Sequence, residues 1–167
     1  VNRFQARNIS TATVPAPLTD IWEVLRSPTL LAEMTPLLDE ISVNGDLWCW
    51  RMSGISALGV EISPSFTERM SFDPESTIRF EHHPPEGARE RAGADGVYTL
   101  ERIDDGHTHL EIDITLHVQL PLPRASRRAV ERIMSKTMTR TGDVFAERLY
   151  RHLGIDPAAA TQTTVRA

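Results

Sequence analysis

The sequence is short of the features that mark several protein classes. Among its 167 residues there is one cysteine, Cys49, which excludes an internal disulfide framework and fits a reducing compartment, so the expected location is cytoplasmic. No apolar run approaches the ~18 residues of a membrane-spanning helix. No stretch joins a charged start, an apolar middle and a small-residue cleavage site, although a trimmed upstream segment stays open before Val1. Positive charge is scarce as well: the net charge of −5 argues against nucleic acid as a partner, because phosphate binding relies on a concentrated basic surface. The one basic cluster, Arg124, Arg127, Arg128 and Arg132, has Glu131 in its midst and no interleaved aromatics. It reads as a solvated helix face rather than an anion site.

Common catalytic signatures are missing too. There is no Gly-x-Ser-x-Gly elbow, and the glycines of "GISALG" and "GARERAGADG" are not followed by the Lys-Ser/Thr of a phosphate loop, so no nucleotide cofactor is expected. His107, His109 and His117 share a parity. They fall on the polar face of a strand without a Cys or a Glu-x-x-His spacing to complete a set, and no metal is expected.

What is present is an ordinary globular composition, 40% hydrophobic and 25% charged, at a length that fits one domain. The β-branched and alternating residues of "FQARNISTATV" predict a first strand, ended by "PAP". In "LTDIWEVLRSPTLLAEM", Leu18, Ile21, Trp22 and Leu25 recur at helical spacing after a cap at Thr19 or Asp20. Ser27-Pro28 divides the segment into two short helices. Six strands are then expected in "LLDEISV", "LWCWRM", "VEISPSFTERMSF", "TIRFEHH", "GVYTLERI" and "HTHLEIDITLHVQL", with turn signals such as Asn44-Gly45-Asp46 and Asp104-Asp105-Gly106 between them. The last strand alternates without a break: Leu110, Ile112, Ile114, Leu116, Val118 and Leu120 make a buried row, and His109 to Gln119 a wet one. After Pro121 the period changes. From about Arg124 to Leu153, Val130, Met134, Met138, Thr141, Phe145, Leu149 and His152 form the inward stripe of a long helix, ended by Gly154. The tail, residues 155–167, has too little apolar content to pack and is expected to be disordered.

One strand, two short helices, an antiparallel meander and a long C-terminal helix is an α+β order that resembles the helix-grip fold of the START-like or SRPBCC superfamily. This superfamily includes polyketide cyclases and aromatases, lipid-transfer domains and plant-allergen-like carriers. The resemblance runs from about Phe4 to Leu153, within one START-like domain placed at residues 1–154. It rests on "VPAPLTDIWEVLRSPTLLAEMTP" and on "VQLPLPRASRRAVERIM" leading into the last helix. It implies a curved sheet of about six to seven strands wrapped around the helix, with a hydrophobic cavity between them that holds lipids, polyketides or other apolar molecules. It implies no particular catalytic residue, since the superfamily shares none.

If the apolar face of the sheet looks at the helix, alternation selects the cavity wall. Trp48, Trp50 and Met52 come from one strand, and Ile62, Phe66 and Glu68 from the next. Ile78, Phe80 and His82 follow, then Tyr98 and Leu100, with Met134, Met138, Thr141 and Phe145 closing the space from the helix. The same residues also describe a filled core. Enclosed indole N–H groups need partners, either backbone or a ligand. His82, inward by parity, is a candidate acid or base with Glu68 as partner, or else a structural histidine at a strand end. Pro64 leaves the direction of Glu68 open, and Tyr98 offers a phenol. Three functions compete: a carrier or sensor for an apolar small molecule, an aromatase- or cyclase-type enzyme using His82, Glu68 or Tyr98, and a protein-interaction domain with a filled core. A homodimer is left open.

Overall fold

The computed structural model describes residues 1–159 and 161–166. Strand β1 (Asn2–Val14) is followed by helices α1 (Leu18–Leu25) and α2 (Pro28–Met34). The strands β2 (Leu38–Asn44), β3 (Leu47–Met52), β4 (Ile55–Ala57), β5 (Val60–Ile62), β6 (Ser65–Asp73), β7 (Thr77–His82), β8 (Ala92–Asp104) and β9 (His107–Leu120) come next. A 3-10 turn at Arg124–Ser126 leads into α3 (Arg127–His152), and β10 (Thr161–Arg166) follows. The main sheet has the order β10-β1-β9-β8-β7-β6-β3-β2, while β4 and β5 form a separate hairpin. Every pairing is antiparallel, and the curved sheet wraps around α3 in a helix-grip architecture.

Local chemistry explains the boundaries. The cap expected at Thr19 or Asp20 is absent: α1 begins after Pro17, whose fixed φ suits a helix start. The buried Thr108 hydroxyl fixes this approach by donating to the Ala16 carbonyl at 2.9 Å. Ser27 caps α2 instead, its hydroxyl accepting from the Leu30 N–H at 3.3 Å, with Pro28 as the first helical residue. Gly154, at φ 70°, ends α3 as the sequence predicts, and the Ile155 N–H reaches back to the Tyr150 carbonyl.

The segment "VEISPSFTERMSF" is two strands, not one, because Pro64 has no N–H to give a ladder and β5 turns away to pair with β4. Strand β8 starts at Ala92 rather than Gly96, since "AGAD" carries no apolar signal but pairs with β9 all the same. The low apolar content of 155–167 predicts a tail outside the fold; the structure instead has β10 paired with β1 from Asn8↔Arg166 to Thr13↔Thr161. Adding a strand uses backbone groups that every residue carries, so it needs no apolar face.

The core lies between the sheet and the helices. Phe4, Val14, Ile21, Leu25, Ile78 and Leu149 are fully enclosed. The α3 stripe faces the sheet through Val130, Met134, Met138, Thr141 and Phe145, but His152 is exposed. Near its end the buried side of α3 turns toward Ala146, Leu149 and Tyr150, because α2 presents a second apolar surface there through Met34. No helix among the described residues is long and apolar enough to cross a membrane.

Candidate functional site

The core is not filled. A cavity of about 330 Å³ lies between the inner face of the sheet and α3. Its origin is visible in the register. Strand β9 turns a row of large side chains inward from Leu110 to Leu120. Its two neighbours answer with small ones: Ala6, Asn8, Ser10 and Ala12 on β1, and Ala92, Ala94 and Gly96 on β8. On both sides of β9 the wall is therefore thin, and space is left between it and α3.

Strand alternation places most of the expected lining. Trp50 and Met52 on β3, Phe66 and Glu68 on β6, Phe80 on β7 and Tyr98 on β8 all border the cavity. Met134, Met138 and Thr141 border it from α3. Trp48 does not. It shares the face of Trp50, with ring centroids 6.4 Å apart, but stacks on Phe72 at 5.7 Å, and Phe72 in turn meets Trp22 of α1. That end of the sheet is closed by α1, and Trp48 is core.

His82 does not border the apolar cavity either. The β7–β8 pairing stops at Phe80, and the His82 N–H donates to Asp95 Oδ1 (3.0 Å) instead of to a strand carbonyl. The ring then lies against His117, centroids 4.8 Å apart, and its Nε2 is 3.0 Å from Glu90 Oε2. The partner of His82 is thus Glu90, not Glu68. Glu90 also accepts from the Thr67 N–H (2.8 Å) and hydroxyl (2.7 Å), which pins the loop after β7 to β6. His82, Glu90 and His117 line a second, polar pocket with Arg3 and Arg91, and His117 also borders the cavity. His117, expected on the wet face, is buried. Burial, followed by the positive charges of Arg3 and His82, pushes its imidazole below its usual value and favours the neutral form.

Some buried polar atoms of the cavity wall lack a hydrogen-bond partner. Glu68, opposite Trp48 and His82 in the ladder, is only 2% exposed, and its Oε2 has no hydrogen-bond partner. Burial pushes its carboxyl well above the ordinary value, and the charge of Asp95 pushes in the same direction. The nearby Trp50 indole opposes the shift, yet Trp50 Nε1 itself lacks a partner in hydrogen-bond geometry. Tyr98, whose ring lies 5.1 Å from that of Phe80, has its phenol raised by burial and then by the Glu68 charge, so it stays a neutral donor. Asn8 Oδ1 is a further buried acceptor without a partner.

Asn8 and Ser10 are lining residues that aromatic and apolar alternation does not reveal. The available signal is their parity with Phe4 and Val14 on β1. Among the described residues no group of three His, Cys, Asp or Glu side chains is placed to hold a metal ion.

No protein-family model matches the chain, and no curated protein does. Solved structures do share its fold. A conserved protein from Geobacillus kaustophilus is 13% identical, with a TM-score of 0.66 over 93% of this chain and 98% of that one. The Zhui aromatase/cyclase from a Streptomyces species is 17% identical, with a TM-score of 0.61 over 90% and 96%. A START superfamily protein from Mycobacterium smegmatis is 14% identical, with a TM-score of 0.61 over 87% and 98%. At these identities the likeness is one of fold.

Proposed function

We propose that the protein holds a mostly apolar small molecule between the sheet and α3, as a carrier or a sensor. The observation that carries this reading is the cavity of about 330 Å³, walled by aliphatic and aromatic side chains with a few unpartnered polar atoms. That composition is typical of small-molecule sites, and burial of apolar ligand surface would contribute about 25 cal/mol per Å². Tyr98, Glu68 and Trp50 would orient the polar end of the guest. Native mass spectrometry of the purified protein should find a retained small molecule. A long apolar fluorophore should quench tryptophan emission on titration. A brominated alkane, which quenches only near contact, should lose most of its effect in Trp50→Phe and little in Trp48→Phe, because of the three tryptophans only Trp50 borders the cavity. Unchanged emission and anisotropy across the titration would count against the reading.

A second reading has its own support. Glu68 and Tyr98 border one cavity, and burial favours the protonated form of each, as general acids acting on a carbonyl-rich guest require. The Zhui protein, alike in fold, is named an aromatase/cyclase. In an enzyme of that kind, Glu68→Gln should abolish turnover while binding persists; in a carrier it should change affinity alone. His82→Ala, at a residue outside the cavity, serves as the control that should spare both.

A further inference from the structure

Resting on the cavity reading, we infer that the guest is an apolar amine whose ammonium group pairs with Glu68 among the rings of Trp50, Phe66, Phe80 and Tyr98. The first ground is charge. Among the residues bordering the cavity there is no lysine or arginine, and the carboxyl groups are those of Glu68 and Asp143. A fatty acid or a phosphorylated lipid would bring its negative head into a space with two carboxyl groups and a single basic side chain, His117, which burial favours in its neutral form, with Asp95 adding to the field at Glu68. The second ground is the unmet hydrogen bond. A carboxyl oxygen as enclosed as Glu68 Oε2 is costly to leave without a partner, and a buried acid is best completed by a cation that also donates hydrogen bonds. The third is the setting. Aromatic faces attract a desolvated cation, and four aromatic side chains border this cavity from β3, β6, β7 and β8.

Binding then moves one proton. The neutral Glu68 carboxyl meets a protonated amine, the carboxyl gives its proton to solvent, and a carboxylate–ammonium pair remains. The ionisable groups beside Glu68 are Asp95 and Tyr98 on β8 and His82 in register on β7, and His117 on β9 and Asp143 on α3 border the same cavity. Burial keeps Tyr98 and His117 neutral near neutral pH, so neither competes for the role of counter-ion.

Calorimetric titration near neutral pH with decylamine, decan-1-ol and sodium decanoate tests the assignment, since the three share one chain and differ in the head. Decylamine should bind at least about tenfold more tightly than the alcohol, and decanoate more weakly than the alcohol. The heat of amine binding should change between phosphate and Tris buffers, reporting the released proton. Glu68→Gln should bring the amine to the level of the alcohol and leave the alcohol nearly unchanged. An alcohol that binds as tightly as the amine in the wild type, or an amine affinity that Glu68→Gln does not alter, overturns the inference while the cavity reading stands. If none of the three binds the wild type, both readings fail together. The wild-type order alone decides the matter should the variant fold poorly.

Discussion

Glu68 sits where a carboxylate is least welcome, and its consequence for stability has a definite sign. Its folded-state affinity for a proton lies above the ordinary value of 4.5, with burial as the main cause. Between the ordinary and the raised value, the native state holds a proton that the unfolded state has lost. Stability therefore falls as pH rises through that window. Glu68→Gln removes the titration, so the melting temperature of the variant minus that of wild type should climb from mildly acidic to mildly alkaline pH. A pH-independent difference would place the carboxyl in water. At the same scale, strand alternation was enough to find Trp50, Met52, Phe66, Phe80 and Tyr98, since the cavity lies on one face of one sheet. It was not enough for Trp48 or His82. Trp48 belongs to a ring stack completed by Trp22 of α1, and His82 sits just past the last β7–β8 pair, where a side-chain oxygen of Asp95 replaces the ladder. Both outcomes depend on a second element that the strand's own sequence does not contain.

At the level of elements, β8 shows how small residues hide a strand and yet are required by it. Gly96 lies opposite Phe80, and a Cβ there would overlap the Asp113 carbonyl oxygen and the Phe80 ring. A Cβ on Gly93 would overlap the rings of His82 and His117. The two glycines differ in what must yield. Side-chain rings can rotate at moderate cost, whereas the Asp113 carbonyl is held in the β8–β9 ladder. Gly96→Ala should therefore lose about 3 kcal/mol in denaturant unfolding and Gly93→Ala about 1 kcal/mol. Equal losses would mean that the backbone at Gly96 has room to shift. The strongly patterned elements, β9 and α3, were readable because their faces alternate or recur over many residues. The start of β8 and β10 were not, because small or polar residues fill them and backbone pairing with a neighbour holds them in place; at the β4–β5 hairpin Val60 and Ile62 do face the core, but the turn that pairs them with β4 lies outside their own pattern.

For the molecule as a whole, the question is why a chain of this size leaves space in its middle. Beside β9 much of each rim lacks bulk: Ala6, Asn8, Ser10 and Ala12 on β1 and Ala92, Ala94 and Gly96 on β8 stand opposite leucine, isoleucine and valine. The sequence carries this information, but only once β1 is known to pair with β9, a contact between residues such as Ser10 and Ile112 that no local pattern announces. The same register gives the fold its most direct test. Ser10 borders the cavity, half-buried, from the β1 side. Ser10→Leu projects new apolar surface into this space without displacing a neighbour, and should raise stability by about 1 to 2 kcal/mol. If the core were solid, the same change would overpack it and cost about 1 to 3 kcal/mol. Because the two cases differ in sign, a single pair of unfolding curves separates them. Ligand binding must then move the other way: the side chain that stabilises the empty protein occupies the volume of the guest, so Ser10→Leu should weaken binding of an apolar fluorophore at least about tenfold. A variant that is both more stable and equally able to bind would place the guest elsewhere on the molecule.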